Sequence, residues 1–208
     1  MQAHLPESDD DADIPYRAEV IRKLLHLLAL IIPLGMWLIG REAAILVFLP
    51  LALVGVAADV LRARSYWVNR FIDRYFGFMM RGRERPPVGG PVVINGATWV
   101  AISAAMLSVL FPVHVGAAAF SAFILGDAAA ALIGRRWGRR RWPGTTRTVE
   151  GSLAFLFVSL GILAGFGIFS TTGIVAASLI GAAAEALPGP TNDNIRVPLV
   201  MALALLLL

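Results

Sequence analysis

AAILVFLPLALVGVAADVL, residues Ala43 to Leu61, carries a single ionisable side chain, Asp59. At ~1.5 Å of rise per residue, such a run is long enough as a helix to cross the ~30 Å hydrocarbon layer of a bilayer. Working outward, comparable apolar stretches run from Leu24 to Gly40, Val92 to Phe111, Val115 to Ile133, Leu153 to Phe169, Gly173 to Leu187 and Val197 to Leu208. The last two are short, and the final one must thin the bilayer or lean on its neighbours. The pattern predicts an all-α integral membrane protein of about seven transmembrane helices. Composition agrees: 58% of residues are hydrophobic and 15% charged, against about 25% charged in soluble domains.

Residues 1–18 are polar and acidic (Glu7, Asp9, Asp10, Asp11, Asp13). They read as a disordered tail rather than a cleavable signal, which would place a basic flank before an apolar core. Residues 19–208 then form a single transmembrane catalytic domain. The absence of cysteine excludes thiolate metal sites, His4, His26 and His114 are too widely separated to suggest zinc, and any metal is expected on oxygen ligands.

The net charge of +4 reports topology rather than nucleic-acid binding, because the basic residues lie in short connections. Arg17, Arg22 and Lys23 precede the first span, seven arginines fall between Leu61 and Gly90, and six between Gly134 and Gly151. If spans alternate, these and Arg196 share one face, with Arg41 on the other; the positive-inside rule makes the shared face cytoplasmic. The expected location is the inner cell membrane, multi-pass, with catalytic loops facing the cytoplasm. Within the first long connection, Tyr66, Trp67, Phe71, Tyr75, Phe76 and Phe78 interleave with Arg70, Asp73 and Arg74, the pattern of an amphipathic helix at the headgroup level.

The segment Gly126 to Ser152, GDAAAALIGRRWGRRRWPGTTRTVEGS, concentrates the chemistry. Asp127 sits seven residues before the loop, about 10 Å inside the membrane boundary. A charge there requires a partner or a metal. The loop combines glycines with Arg135, Arg139 and Arg147, a combination suited to holding a polyphosphate by charge-assisted hydrogen bonds. Thr148 and Glu150 open the next helix; they are either a cap and a dipole partner, or Glu150 is a second oxygen ligand for an ion shared with Asp127. Elsewhere, Arg22 and His26 share a helix face beside Lys23, Glu185 interrupts an apolar helix, and Asp193-Asn194 follow it. Asp59 and Asn95 are either caps or further site candidates.

All these groups approach one side of the bilayer, whereas a transporter distributes polar groups across the midplane. No phosphate-loop, dinucleotide, His-Glu-x-x-His or nucleophile-elbow motif is present. Carboxylates with arginines and no thiol or serine nucleophile suit metal-assisted phosphoryl or nucleotidyl transfer.

Gly126-Asp127-x-x-Ala-x-x-x-Gly134-x-x-x-Gly138 and Arg141-Trp142-Pro143-Gly144-Thr145-x-x-Thr148-x-Glu150-Gly151 resemble the polyprenol kinase family, which includes dolichol kinase, phytol kinase and the CTP-dependent diacylglycerol kinase. Arg22-Lys23-x-x-His26, Glu185-Ala186-Leu187 and Asp193-Asn194-x-x-x-Pro198 extend the resemblance over residues 22 to 198. It implies transfer of the γ-phosphate of CTP to the hydroxyl of a membrane lipid alcohol (a polyprenol, a phytol-type isoprenoid or diacylglycerol) with Mg²⁺ or Ca²⁺. By the same resemblance, Asp127 and Glu150, with Glu185, hold the metal. Arg22, Lys23, Arg135, Arg139, Arg147, Thr148, Gly151 and Asn194 hold the nucleotide phosphates, and His26 or Asp193 is the base. One departure is Thr146-Arg147 before Thr148, where the family often has lysine. A phosphatidate cytidylyltransferase is the nearest rival, but the C-terminal Lys-Asp…His-Gly-Gly…Asp-Arg run of those enzymes is absent. A transporter or scaffold is the alternative from another class.

Overall fold

The computed structural model describes residues 20, 23–24, 26–76, 87–189 and 191–208. The acidic tail, Arg22 and Phe78 lie outside them. Helical residues around Lys23 and His26 pass through a 3₁₀ turn, Leu28–Leu30, into α1 (Ile31–Arg64). There follow α2 (Tyr66–Phe76), α3 (Gly96–Leu110), α4 (Val113–Trp137), α5 (Val149–Phe166), α6 (Thr171–Ala186) and α7 (Asp193–Leu207). Among the described residues there is no strand beyond one isolated bridge, Arg141 to Thr148, so the all-α expectation holds.

Three helical runs are long and apolar enough to cross a membrane: Leu28–Arg64, Val113–Trp137 and Val149–Phe166; Gly96–Leu110 and Thr171–Ala186 are apolar but shorter. The first run is broken at Gly40, whose φ of 79° and ψ of 173° leave the helical region, a conformation open to a residue without Cβ. Contacts on either side fix the direction of the chain. Before the break, Lys23 reaches Asp127 on α4 and the Met36 methyl lies against Gly116. After it, Arg41 reaches Ser108 and Val109 at the end of α3, and Asp59 reaches Asn95 at its start. The chain therefore reverses at Gly40, beside the Arg41-Glu42 turn expected from sequence. Arg41, the basic residue expected on the opposite face, has a local purpose: its guanidinium donates to the carbonyls of Ser108 (3.2 Å) and Val109 (2.7 Å), which the end of α3 leaves without helical donors.

The centre of the bundle is α4. Ala117, Ala118, Ala119, Phe120, Ala122, Phe123 and Ile124 are all buried, and the small residues let neighbouring backbones approach closely. Phe155 of α5 is seated between two glycines: a Cβ at Gly126 would fall 2.9 Å from its ring, and one at Gly181 3.0 Å. Outside, Leu38, Leu46 and Phe157 are 76%, 76% and 67% exposed, as on a surface facing lipid. Helix α2 forms where the aromatic and arginine pattern predicts it, with Tyr66, Trp67, Phe71 and Tyr75 exposed.

Candidate functional site

The Asp127 end of the bundle gathers the ionisable groups. On α4, Asp127 accepts a 2.5 Å hydrogen bond from Lys23 Nζ, and His26 Nε2 stands 3.4 Å from the same oxygen. The imidazole lies edge-on to Phe123, with centroids 6.2 Å apart, one turn back on α4, where an i, i+4 neighbour must lie. Lys23 is only 6% exposed. Asp127 thus has the partner that an intramembrane carboxylate requires.

The connection from α4 to α5 is folded rather than loose. Trp142 N–H donates to the Arg147 carbonyl (3.0 Å) and Val149 N–H to that of Arg140 (2.8 Å), closing a short antiparallel ladder. Its turn needs Gly144, at φ 72°. Thr148 caps α5, its hydroxyl accepting from Gly151 N–H at 3.1 Å. Gly151 allows the loop to dock, since a Cβ there would fall 2.9 Å from the Ala130 carbonyl oxygen.

That ladder aims Arg147 at two other helices. Its guanidinium donates to Glu185 on α6 and, at 2.6 Å, to Asp193 at the start of α7. The second oxygen of Asp193 accepts from Arg196 at 2.6 Å. Arg196 also donates to the carbonyls of Ala184 (2.6 Å) and Leu187 (2.8 Å), satisfying the end of α6. Gly126, next to Asp127, and Gly181, one turn before Glu185, flank the same Phe155 ring, so the two groups of ion pairs lie at the same end of the bundle. Three cations (Lys23, Arg147, Arg196) balance three carboxylates (Asp127, Glu185, Asp193).

Several sequence candidates fall elsewhere. The Glu150 carboxylate turns toward the loop, accepting a long 3.4 Å bond from the Arg140 backbone. Arg135, in the last turn of α4, and Arg139, just beyond it, are exposed. The Asn194 side chain donates to Asn192 at 2.9 Å within the α7 cap. Asp59 and Asn95 make a pair of their own: the Asp59 carboxylate takes the Asn95 amide N–H (3.0 Å) and side-chain nitrogen (2.7 Å), while Asn95 Oδ1 caps α3 through Ala97 and Thr98. Among the described residues, no three acidic or histidine side chains converge as a metal cage. Sequence reasoning used Arg196 only as a marker of topology. Its spacing of three from Asp193 was the signal that it joins the same cluster.

Comparisons with known proteins are sparse. No family model matches, and no solved structure does. The chain is 26% identical over 185 residues to a protein of Rickettsia prowazekii described as uncharacterized, covering 86% of this chain and 88% of that one. A shorter stretch of 35 residues is 54% identical to the dolichol kinase of Saccharomyces cerevisiae, covering 17% of this chain and 7% of that enzyme.

Proposed function

We propose that this protein is a membrane-embedded lipid kinase that transfers the γ-phosphate of CTP to the hydroxyl of a lipid alcohol, working at the cytoplasmic face of the membrane. The observation that carries the reading is Arg147, held by a folded loop and paired at once with Glu185 and Asp193 at the same end of the bundle as the Lys23–Asp127 pair. The local similarity to dolichol kinase supports the same reaction class.

Lys23, Arg147 and Arg196 are the groups able to hold triphosphate oxygens, Arg by a planar fork and Lys as a point charge. In the resting protein the carboxylates occupy them. Asp127, Glu185 and Asp193 are hard oxygen donors of the type that suits Mg²⁺ or Ca²⁺, and Mg²⁺ is commonly bound by one or two carboxylates together with substrate phosphates. The donor set therefore fits an ion that arrives with the nucleotide rather than one caged beforehand. Such an ion neutralises charge on the phosphates. Binding would exchange partners, cations turning to phosphate as carboxylates are released. The alcohol oxygen then forms a bond to the γ-phosphorus, the bond from phosphorus to the CDP oxygen breaks, and the alcohol proton passes to His26 or Asp193. Positioning and charge neutralisation supply most of the acceleration in such transfers.

The direct test incubates the purified protein in lipid nanodiscs with CTP labelled at the γ or the α phosphorus, plus Mg²⁺, and polyprenol, phytol, diacylglycerol or phosphatidate. Label reaching lipid from the γ position alone is the expected result. Label from the α position would make the protein a cytidylyltransferase, and none from either would remove the enzymatic reading.

A further inference from the structure

Beneath Trp142, α5 and α6 part around a cavity of about 360 Å³, lined by Trp142, Ser152, Leu153, Leu156, Ala183 and Leu187. Its volume is that of a small-ligand site, yet its walls offer almost nothing polar. The two polar side-chain groups in that lining, the Trp142 indole N–H and the Ser152 hydroxyl, are joined by a 3.0 Å hydrogen bond, leaving hydrocarbon facing the space. Leu153 and Leu187 are 47% and 56% exposed, so the cavity opens sideways on the surface that faces lipid.

Its position relative to the ion pairs is fixed by the backbone. Leu187 lies two residues beyond Glu185, and its carbonyl is held by Arg196. Trp142 N–H is bonded to the carbonyl of Arg147. One end of the groove thus adjoins the charged cluster while its side opens to the membrane. A larger cavity, of about 530 Å³ around His114 and Ser170, lies at the opposite end of the bundle.

We propose that the groove between α5 and α6 seats the hydrocarbon chain of the lipid alcohol next to its hydroxyl, with Trp142 as a positioning residue that roofs the chain and aims the hydroxyl at the Arg147 cluster. The inference rests on the lipid-kinase reading. It follows from matching two environments: the reacting oxygen must reach charged groups while its tail stays out of water, and this groove joins the two without a polar side chain left unpaired. Moving a chain from lipid to such a groove gains little hydrophobic energy, because lipid tails are as apolar as leucine. Recognition therefore comes from shape, and filling the groove alters which chains fit.

Two measurements test this. Ala183→Phe, which projects a ring into the groove, should lower the rate with a long-chain polyprenol relative to a short-chain isoprenol by about tenfold, while Leu46→Phe, on the lipid-facing surface of α1, should leave that ratio unchanged. An unchanged ratio in Ala183→Phe overturns the proposal. In nanodiscs, a long-chain alcohol bearing a diazirine near its hydroxyl should label peptides containing Leu153 or Leu187, and unlabelled polyprenol should compete where phosphatidylcholine does not. Labelling elsewhere, or equal competition by both lipids, overturns the groove even where kinase activity is present. Selective labelling in the absence of transfer from any nucleotide keeps the groove and removes the kinase reading.

Discussion

Arg147 donates to Glu185, a carboxylate 3% exposed and 38 residues further along the chain. The pair ties the loop after α4 to the end of α6, with the other guanidinium nitrogen on Asp193. Removing only the arginine leaves a buried charge without its partner. Arg147→Ala should therefore destabilise the protein by about 3 kcal/mol, the low end for breaking a buried pair because the arginine is partly exposed. Arg147→Met combined with Glu185→Gln should recover most of that loss in SDS-titrated unfolding without restoring phosphoryl transfer. If the double variant is no more stable than the single one, the pair is not what holds the loop.

Asp127→Asn keeps the shape of the side chain but removes the charge facing Lys23 and His26. Transfer from γ-labelled CTP should fall about a hundredfold or more, the usual effect of losing one preorganised electrostatic contact. Near-normal activity in a correctly folded variant would move the reacting centre away from α4.

The Asp59 and Asn95 pair ties α1 to the start of α3. Asn95→Ala removes the cap of α3 and leaves the Asp59 carboxylate short of a donor, costing about 1–2 kcal/mol. The specific activity of the folded fraction should be unchanged; a selective rise in the KM for CTP would instead put Asn95 at the nucleotide.

Gly126→Ala places a methyl against the Phe155 ring, at a distance of 2.9 Å before relaxation. Overpacking of this kind costs about 1–3 kcal/mol, and Phe155→Leu in the same chain should relieve part of it. Thermal midpoints of the three proteins in one detergent decide the matter.

Because the chain contains no cysteine, orientation can be read with single thiols and no background. Arg139→Cys should react with an impermeant maleimide in inverted vesicles and Glu42→Cys in right-side-out vesicles. Both reacting from the same side would overturn the orientation assigned from the arginines.

Local features of this fold were legible before the structure. The Arg41-Glu42 break, the Thr148 cap and the exposed aromatic helix after Arg64 each depend on residues within a few positions of one another. The pairings that build the site span far greater distances: Lys23 meets Asp127 across 104 residues, a partnership that helical periodicity cannot specify. Glu150 illustrates the converse. The family resemblance implied that it shares a metal with Asp127, while the ladder between Arg140 and Val149 turns its carboxylate toward the loop backbone. Arg196 entered as a topological marker because a single arginine near a helix start carries no local sign of the carbonyls it will meet on α6.

The glycines and alanines along α4 have a consequence for how such a chain can diverge. Where a neighbouring ring or carbonyl packs directly on a backbone without a side chain, the spacing of the bundle is written in the absence of side chains. The lipid-facing surface is then free to drift toward any oily residue without displacing the charged end. Mutational scanning should accordingly find the least tolerance at positions bearing the smallest residues, Gly126, Gly151 and Gly181, and wide tolerance at large exposed ones such as Leu46 and Phe157.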